Sequence, residues 1–212
     1  MAELELGEVL RKHATWLRDK ATGRCANLSG HDLGKANLRG IDLRDALLWG
    51  AFLTGADLRD AILNEAKMSG AAFDGANLQG AQITGAALCG ACLNQANLSN
   101  ANLSGFTNLS GAFLNGSDLR GADLRNANLS GACLVQARLD DANLSGAFIN
   151  GANFSGASLV NANLSGAMLN GTSFQNANLR SANLLGASLR AVVLDGADLT
   201  DAVLPEGHAV GA

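Results

Sequence analysis

The chain has 212 residues with 26 Gly, one Pro, no Tyr and 48% apolar residues, a composition that excludes an ordinary globular domain and points to something repetitive. Its 15 Lys and Arg against 19 Asp and Glu give a net charge of -4, which excludes the basic footprint of a general nucleic-acid binder and predicts no direct contact with nucleic acid.

At the N-terminus, MAELELGEVL carries acids where a secretory leader carries Lys or Arg, and no run of about 18 apolar residues occurs anywhere. The expectation is a cytoplasmic protein with no membrane segment. Cys25, Cys89, Cys92 and Cys133 are too few and too scattered for a disulfide framework, which fits a reducing compartment. Residues 3–20 read as a helix, with Leu6, Leu10, His13 and Leu17 at spacings of four, three and four and with Val9 and Trp16 beside them. Residues 1–25 thus form a helix and a linker.

From residue 26 to residue 204 one pattern repeats every five residues: a small residue, Asn or Asp, Leu, then two variable positions. There are 36 such units; the Leu position is Leu in 30 of them, the exceptions being Met68, Phe73, Ile83, Ile149, Phe154 and Phe174. A period of five matches neither the 3.6 of a helix nor the 2 of a strand, so the chain must repeat one short extended step and one turn. Within each step the small residue and Leu lie two apart and face the same side, inward, while the residue between them faces out. The variable pairs, often Ser-Gly, Arg-Gly or Asn-Gly, carry turn chemistry. The result is an all-β solenoid.

The units ANLSG (26–30), ANLRG (36–40), ADLRD (56–60), ANLQG (76–80), ADLRN (122–126) and ANLSG (142–146) resemble the A(D/N)LXX signature of the pentapeptide-repeat family. That resemblance implies a right-handed quadrilateral β-helix with four units per coil, hence nine coils and a rod of about 43 Å at ~4.8 Å per coil. An open end of such a rod exposes its core and a row of unpaired backbone groups, so the N-terminal helix is expected to cap it, packing through Leu6, Leu10, His13 and Leu17.

Phe106 is one residue too many for the period and is expected to form a bulged corner. Two readings of it stand: a contact site, or the scar of a repeat duplication. No longer insertion interrupts the units, so the rod lacks the loops expected of the family's quinolone-resistance members. Residues 205–212 form a tail with no capping helix, and the last coil is rich in apolar residues, with Val192, Val193, Val203 and Leu204 as the candidate end for closure by a second copy. Some members of the family dimerise through terminal coils, and the resemblance implies the same option here.

Counting units in fours sorts the outward residues onto four sides. The first is nearly uncharged and carries Leu47, Trp49, Phe148 and Met168; the second stacks Phe52, Ala72, Cys92, Phe113 and Cys133 in successive coils. The third carries five Arg against seven Asp, and the fourth is a milder mixture. A contiguous apolar stripe marks a contact surface, so Leu47, Trp49, Phe52, Phe113, Phe148 and Met168 are the candidate partner or dimer residues.

Catalytic chemistry is not indicated. The Cys89-Gly-Ala-Cys92 pair lacks the further ligands of a zinc site, no phosphate-binding loop occurs, and the three His lie near one end or in the tail. No enzyme, cofactor or metal is expected. The function predicted is a non-catalytic protein-interaction rod whose partner the sequence does not name. Two alternatives stand beside it: a DNA-mimic regulator of a type II topoisomerase, which the family resemblance implies, and a structural or self-assembling element. Against mimicry, ~43 Å of duplex carries roughly 25 negative charges at one per ~1.7 Å.

Overall fold

The computed structural model describes residues 3–205. One helix, α1 (Glu3–Arg18), precedes the repeats. Leu6, Val9 and Leu10 pack on the solenoid core and His13 is fully buried, while Leu17 is half-buried and stands outside that cluster. A Glu8–Lys12 pair at 2.7 Å braces the outer face. The helix ends two residues short of the expected limit because Asp19 turns the chain: its carboxylate accepts from the Ala21 N–H at 2.9 Å and from the Thr22 hydroxyl at 3.0 Å. Gly23 then passes so close to α1 that a Cβ there would lie 2.0 Å from the Trp16 backbone nitrogen. Only glycine fits this crossing.

From Asn27 onward every fifth residue pairs with the residue one coil further on through a parallel bridge. Four ladders result, starting at Asn27, Asp32, Asn37 and Asp42, and each links nine residues among those described. They are the first, second, third and fourth sides of the rod. Each coil is joined to the next by backbone bonds that repeat without variation. The Leu98 N–H donates to the Asp118 carbonyl at 2.7 Å, and the Asp118 N–H donates back to the Ala96 carbonyl at 2.9 Å. At the corners the small residue's N–H donates to the carbonyl three residues earlier, as from Ala46 to Leu43 at 3.1 Å.

The closing corner residue takes left-handed φ throughout. Glycine supplies it without strain at many corners, and Asn or Asp does so at several others, including Asp60 and Asn126. Inside, the Leu and small residues form one continuous buried cluster from Ala26 to Ala187. Phe73, Phe154 and Phe174 fill the inward position behind the second side, the latter two stacked at 5.2 Å between centroids. Where the small position is Thr or Ser, the buried hydroxyl is satisfied locally: Thr172 donates to the Ile149 carbonyl at 2.8 Å and Ser117 to the Leu114 carbonyl at 2.7 Å.

Phe106 is absorbed at its corner. The ladders step by 20 residues everywhere except across this point, where they step by 21, as from Cys92 to Phe113, and then resume. Gly105 and Phe106 are both left-handed, with φ of 69° and 66°, and Phe106 is pushed outward to 70% exposure. The next residue anchors the bulge, since the buried Thr107 hydroxyl accepts from the Gly85 N–H and lies 2.9 Å from both the Ile83 and Ser104 carbonyls.

At the far end the inward residues Leu189, Val192, Leu194, Leu199 and Leu204 are only half-buried, because no further coil covers them among the described residues. Val193 and Val203 belong to the outward ladders of the second and fourth sides. Of the four residues expected at this end, only Val192 and Leu204 therefore belong to the exposed core. Residues 206–212, most of the tail, lie outside the described residues.

Candidate functional site

The outward position of a repeat unit has a structural task. Ladder bonds occupy the N–H groups of the inward residue and of the last corner residue, but not that of the first corner residue between them. An outward Asn or Asp accepts from it: Asn27 from the Ser29 N–H at 3.2 Å, Asn77 from Gln79 at 3.2 Å and Asn108 from Ser110 at 3.0 Å. This is the physical reason for Asn or Asp in the signature, and an apolar residue in its place forfeits the bond.

On the second side the bond is kept by moving its acceptor. Asp74 sits at the corner and accepts from the Asn94 N–H of the next coil at 3.1 Å; Asn94 accepts from Asn115 at 3.1 Å, and Asn115 from Val135 at 3.1 Å. Side-chain amides reinforce the column, with Asn94 Nδ2 donating to Asp74 at 2.8 Å and Asn115 Nδ2 to Asn94 at 3.0 Å. A column of carboxamides thus runs down the corner beside the outward residues Cys92, Phe113 and Cys133, whose units need no outward Asn. Three coils of the wall are free to be apolar.

Along that wall Phe52, Ala72, Cys92, Phe113 and Cys133 form consecutive bridges, so the stacking expected from the five-residue count is their actual register. Phe52 is 54% exposed and Phe113 47%, with the smaller Ala72 and Cys92 between them. Trp49, at the corner between the first and second sides, is half-exposed. On the first side Phe148 and Met168 are consecutive bridge partners, Met168 exposed and Phe148 half-buried, and Leu47 is half-buried near the other end. A shallow hollow separates Phe106 from Phe148 and is floored by Asn108 and Asn128. The candidate residues therefore share two adjacent sides but fall into two groups, Leu47 to Phe113 and Phe148 to Met168.

The thiols on this side are free. Cys89 is exposed at the corner, Cys92 and Cys133 are half-buried, and Cys133 donates to the Asn115 side chain at 3.0 Å. Burial pushes the Cys92 thiol above its usual range, with Asp74 adding to the effect, so the thiolate is disfavoured there.

The charged sides are built from ion pairs within single units. In each Asp-Leu-Arg unit the Arg folds back on the Asp two residues before it, at 2.6 Å for Arg44–Asp42, 2.5 Å for Arg59–Asp57, 2.5 Å for Arg120–Asp118 and 2.7 Å for Arg125–Asp123. The Arg59 hydrogen bond holds the Asp57 carboxyl at about 2, and the same contact lowers Asp42, Asp118 and Asp123. Arg39 reaches Asp60 at 3.3 Å and Arg180 reaches Asp198 at 3.5 Å, both between coils. Much of the acidic charge on these walls is thus neutralised in place. The Asp-x-Arg spacing that announces it was present in the sequence as IDLR, ADLR and SDLR, and charge counting alone missed it.

Among the described residues, no helix is long and apolar enough to cross a membrane. The family model described as "Pentapeptide repeats" matches in eight copies, over residues 41–80, 81–105, 106–141, 137–176 and 172–205. No curated protein matches the chain. Among solved structures, HetL, a pentapeptide repeat protein involved in heterocyst differentiation regulation from the cyanobacterium Nostoc sp. strain PCC 7120, is 34% identical, with 91% of this chain and 96% of that chain covered and a TM-score of 0.35. Full-length QnrB1, a plasmid-mediated fluoroquinolone resistance protein, is 20% identical over 85% of this chain and 92% of that chain, with a TM-score of 0.57. A pentapeptide repeat protein from the Arabidopsis thaliana thylakoid lumen is 24% identical over 69% of this chain and 66% of that chain, with a TM-score of 0.21.

Proposed function

The chain belongs to the pentapeptide-repeat family, whose fold is the right-handed β-helix, and from that premise we propose that it is a non-catalytic docking rod that binds a protein along its second side. The observation that carries this reading is the moved acceptor. The Asp74–Asn94–Asn115 column replaces the outward Asn, so Phe113 and its neighbours stand on the wall without a backbone penalty. An aromatic residue held half-exposed between small apolar neighbours has the character of an interface anchor. Trp49, Phe52 and Phe113 are the anchors; Leu47, Phe148 and Met168 extend the surface.

DNA mimicry fits less well. Its support is the shared fold with QnrB1, but six Asp of the repeat walls are paired with Arg and are unavailable as stand-ins for backbone phosphates. We propose a reducing, cytoplasmic setting, which suits four free and scattered thiols.

The test is affinity capture with the purified rod beside a Phe52→Asp, Phe113→Asp variant checked by circular dichroism. A protein retained by the first and lost with the folded variant is the expected result. Equal recovery by both would overturn the reading, and recovery of a topoisomerase subunit through the charged sides would replace it with mimicry.

The half-buried inward residues of the last described coil support a second contact, closure by another copy of the chain through Val192, Leu194, Leu199 and Leu204. Sedimentation should show a mass that doubles with concentration, and Leu199→Asp should hold the chain monomeric. A wild-type mass that stays monomeric at all concentrations contradicts it.

A further inference from the structure

The N-terminal end of the solenoid is held by a titratable acceptor. At internal corners the small residue's N–H donates to a carbonyl three residues back; His31 to Leu28 and Ala46 to Leu43, both at 3.1 Å, are examples. Ala26, the first such residue, instead donates to Nδ1 of His13 in α1, at 3.1 Å. Among the described residues, a backbone bond from the Arg24 N–H to the Lys12 carbonyl at 3.2 Å also ties the helix to the entry of the first coil. His13 is fully buried and stacks on Trp16 at 5.6 Å.

Because Nδ1 accepts, the neutral ring carries its hydrogen on Nε2. That atom is buried and has no hydrogen-bond partner among the described residues, and the Arg44 backbone near the ring gives a cation there only the weakest of its supports. A second proton must therefore go to Nδ1, where it faces the Ala26 N–H. Donor then meets donor, and a cation is left in the packed seam between helix and coil.

The charged groups around the ring do not rescue that cation. Asp42 and Asp45 of the first coil favour it, but Asp42 is already forked by Arg44, whose own charge opposes it. The Cys25 thiol bonds the Asp45 carbonyl at 3.5 Å, and Lys20 lies over Trp16 at 4.7 Å from the ring centroid, on the linker. Burial outweighs the two carboxylates and holds the imidazole below its usual range. With the folded value depressed, the released form binds the extra proton, so the tie is complete above the ordinary imidazole value of about 6.5 and weakens as pH falls below it.

We propose that α1 is an acid-released cap: protonation of His13 frees the helix from the first coil and uncovers the starting edge of the ladders, while the coils beyond stay folded. The reason for the separation is that internal coils are joined chiefly by backbone bonds and buried Leu, and residues 43–184 contain no other imidazole to titrate in this range.

Hydrogen exchange of the full chain from pH 7.5 to 5, corrected for the intrinsic rate, reads this directly, beside magnetic resonance titration of the His13 ring. Protection of amides in residues 6–18 should fall about tenfold per pH unit between 6.5 and the ring's own midpoint, and amides in residues 43–184 should hold. In His13→Asn the side-chain oxygen replaces Nδ1 without titrating, so the fall should vanish; His31→Asn should leave it intact. If His13→Asn fails to seat the helix, the wild-type ring decides. A midpoint at or above 6.5, or α1 protection unchanged through the ring's titration, overturns the proposal. So does an unaltered fall in a seated His13→Asn, or opening of all coils together.

Discussion

Replacing Leu98 with Asp is expected to abolish the cooperative thermal transition of the rod or to lower its midpoint by about 10 °C or more. Leu98 is 1% exposed, with Leu78 and Leu119 in the same inward position of the coils on either side. Removing a buried Leu costs about 2–5 kcal/mol before any charge is considered. A carboxylate in its place has no cation within a core of Leu and Ala, so it must be protonated or drag water inward, at several kcal/mol more. For a chain of this size about 1 kcal/mol moves the midpoint by roughly 2–4 °C. Because each coil is stabilised by its neighbours, a failed coil in mid-rod uncouples the two halves. Circular dichroism through a thermal melt checks this, and a curve unchanged from wild type is incompatible with an inward Leu98.

The Phe154→Ala substitution should be the next most damaging, at about 3–5 kcal/mol. Phe154 and Phe174 stack in successive coils with both rings fully buried, and neither backbone can close the gap because the ladder fixes the coil spacing. The cavity therefore stays open, and the midpoint should fall by about 6 °C or more. The same measurement on Phe106→Ser, where the ring is exposed at a left-handed corner, should show almost no loss. Equal losses at the two sites would mean that the bulge ring packs on the rod.

The contrast between these residues marks what the five-residue period carries. Direction is encoded by position alone, so the inward Leu, the stacking of Phe52 over Ala72 and the reset at Phe106 were all legible. What was not legible depends on distances between coils or between helix and coil. The Asp74–Asn94–Asn115 column is written as ordinary corner residues and becomes visible only when residues about 20 apart are brought side by side. Gly23 lies outside the five-residue period and carries no signal in it, yet it is the place where the linker crosses Trp16. The Thr107 hydroxyl gave no signal beyond a departure from Ala, although it pins the bulge. Val193 and Val203 sit at outward positions of the last coil, a direction that their place in the period already carries.

The same separation explains how one rod hosts a specific surface. Core bonds run between backbones and inward Leu, so side chains on the walls can vary wherever the first corner N–H keeps an acceptor. The third and fourth sides use that freedom for Asp–Arg forks that solvate the rod and neutralise it; the second uses it for Phe and Cys. The first side also relocates its acceptor, with Asn150 and Asn170 accepting from the Asn170 and Arg190 N–H groups beside Met168, but only the second carries the column through three coils and past an exposed aromatic ring, Phe113.

The most direct measurement of docking along the second side uses a native thiol. Cys89 is exposed at the corner leading into Cys92, the ladder partner of Phe113, whereas Cys25 lies at the α1 end. Alkylation of the rod should be timed free and in complex with the captured protein, for wild type and for a Gln79→Cys variant that puts a thiol on the charged corner. The complex is expected to slow Cys89 at least tenfold and to leave the introduced thiol at its free rate. Slowing of the introduced thiol with Cys89 unaffected would contradict docking on the second side and move the contact surface to the charged walls.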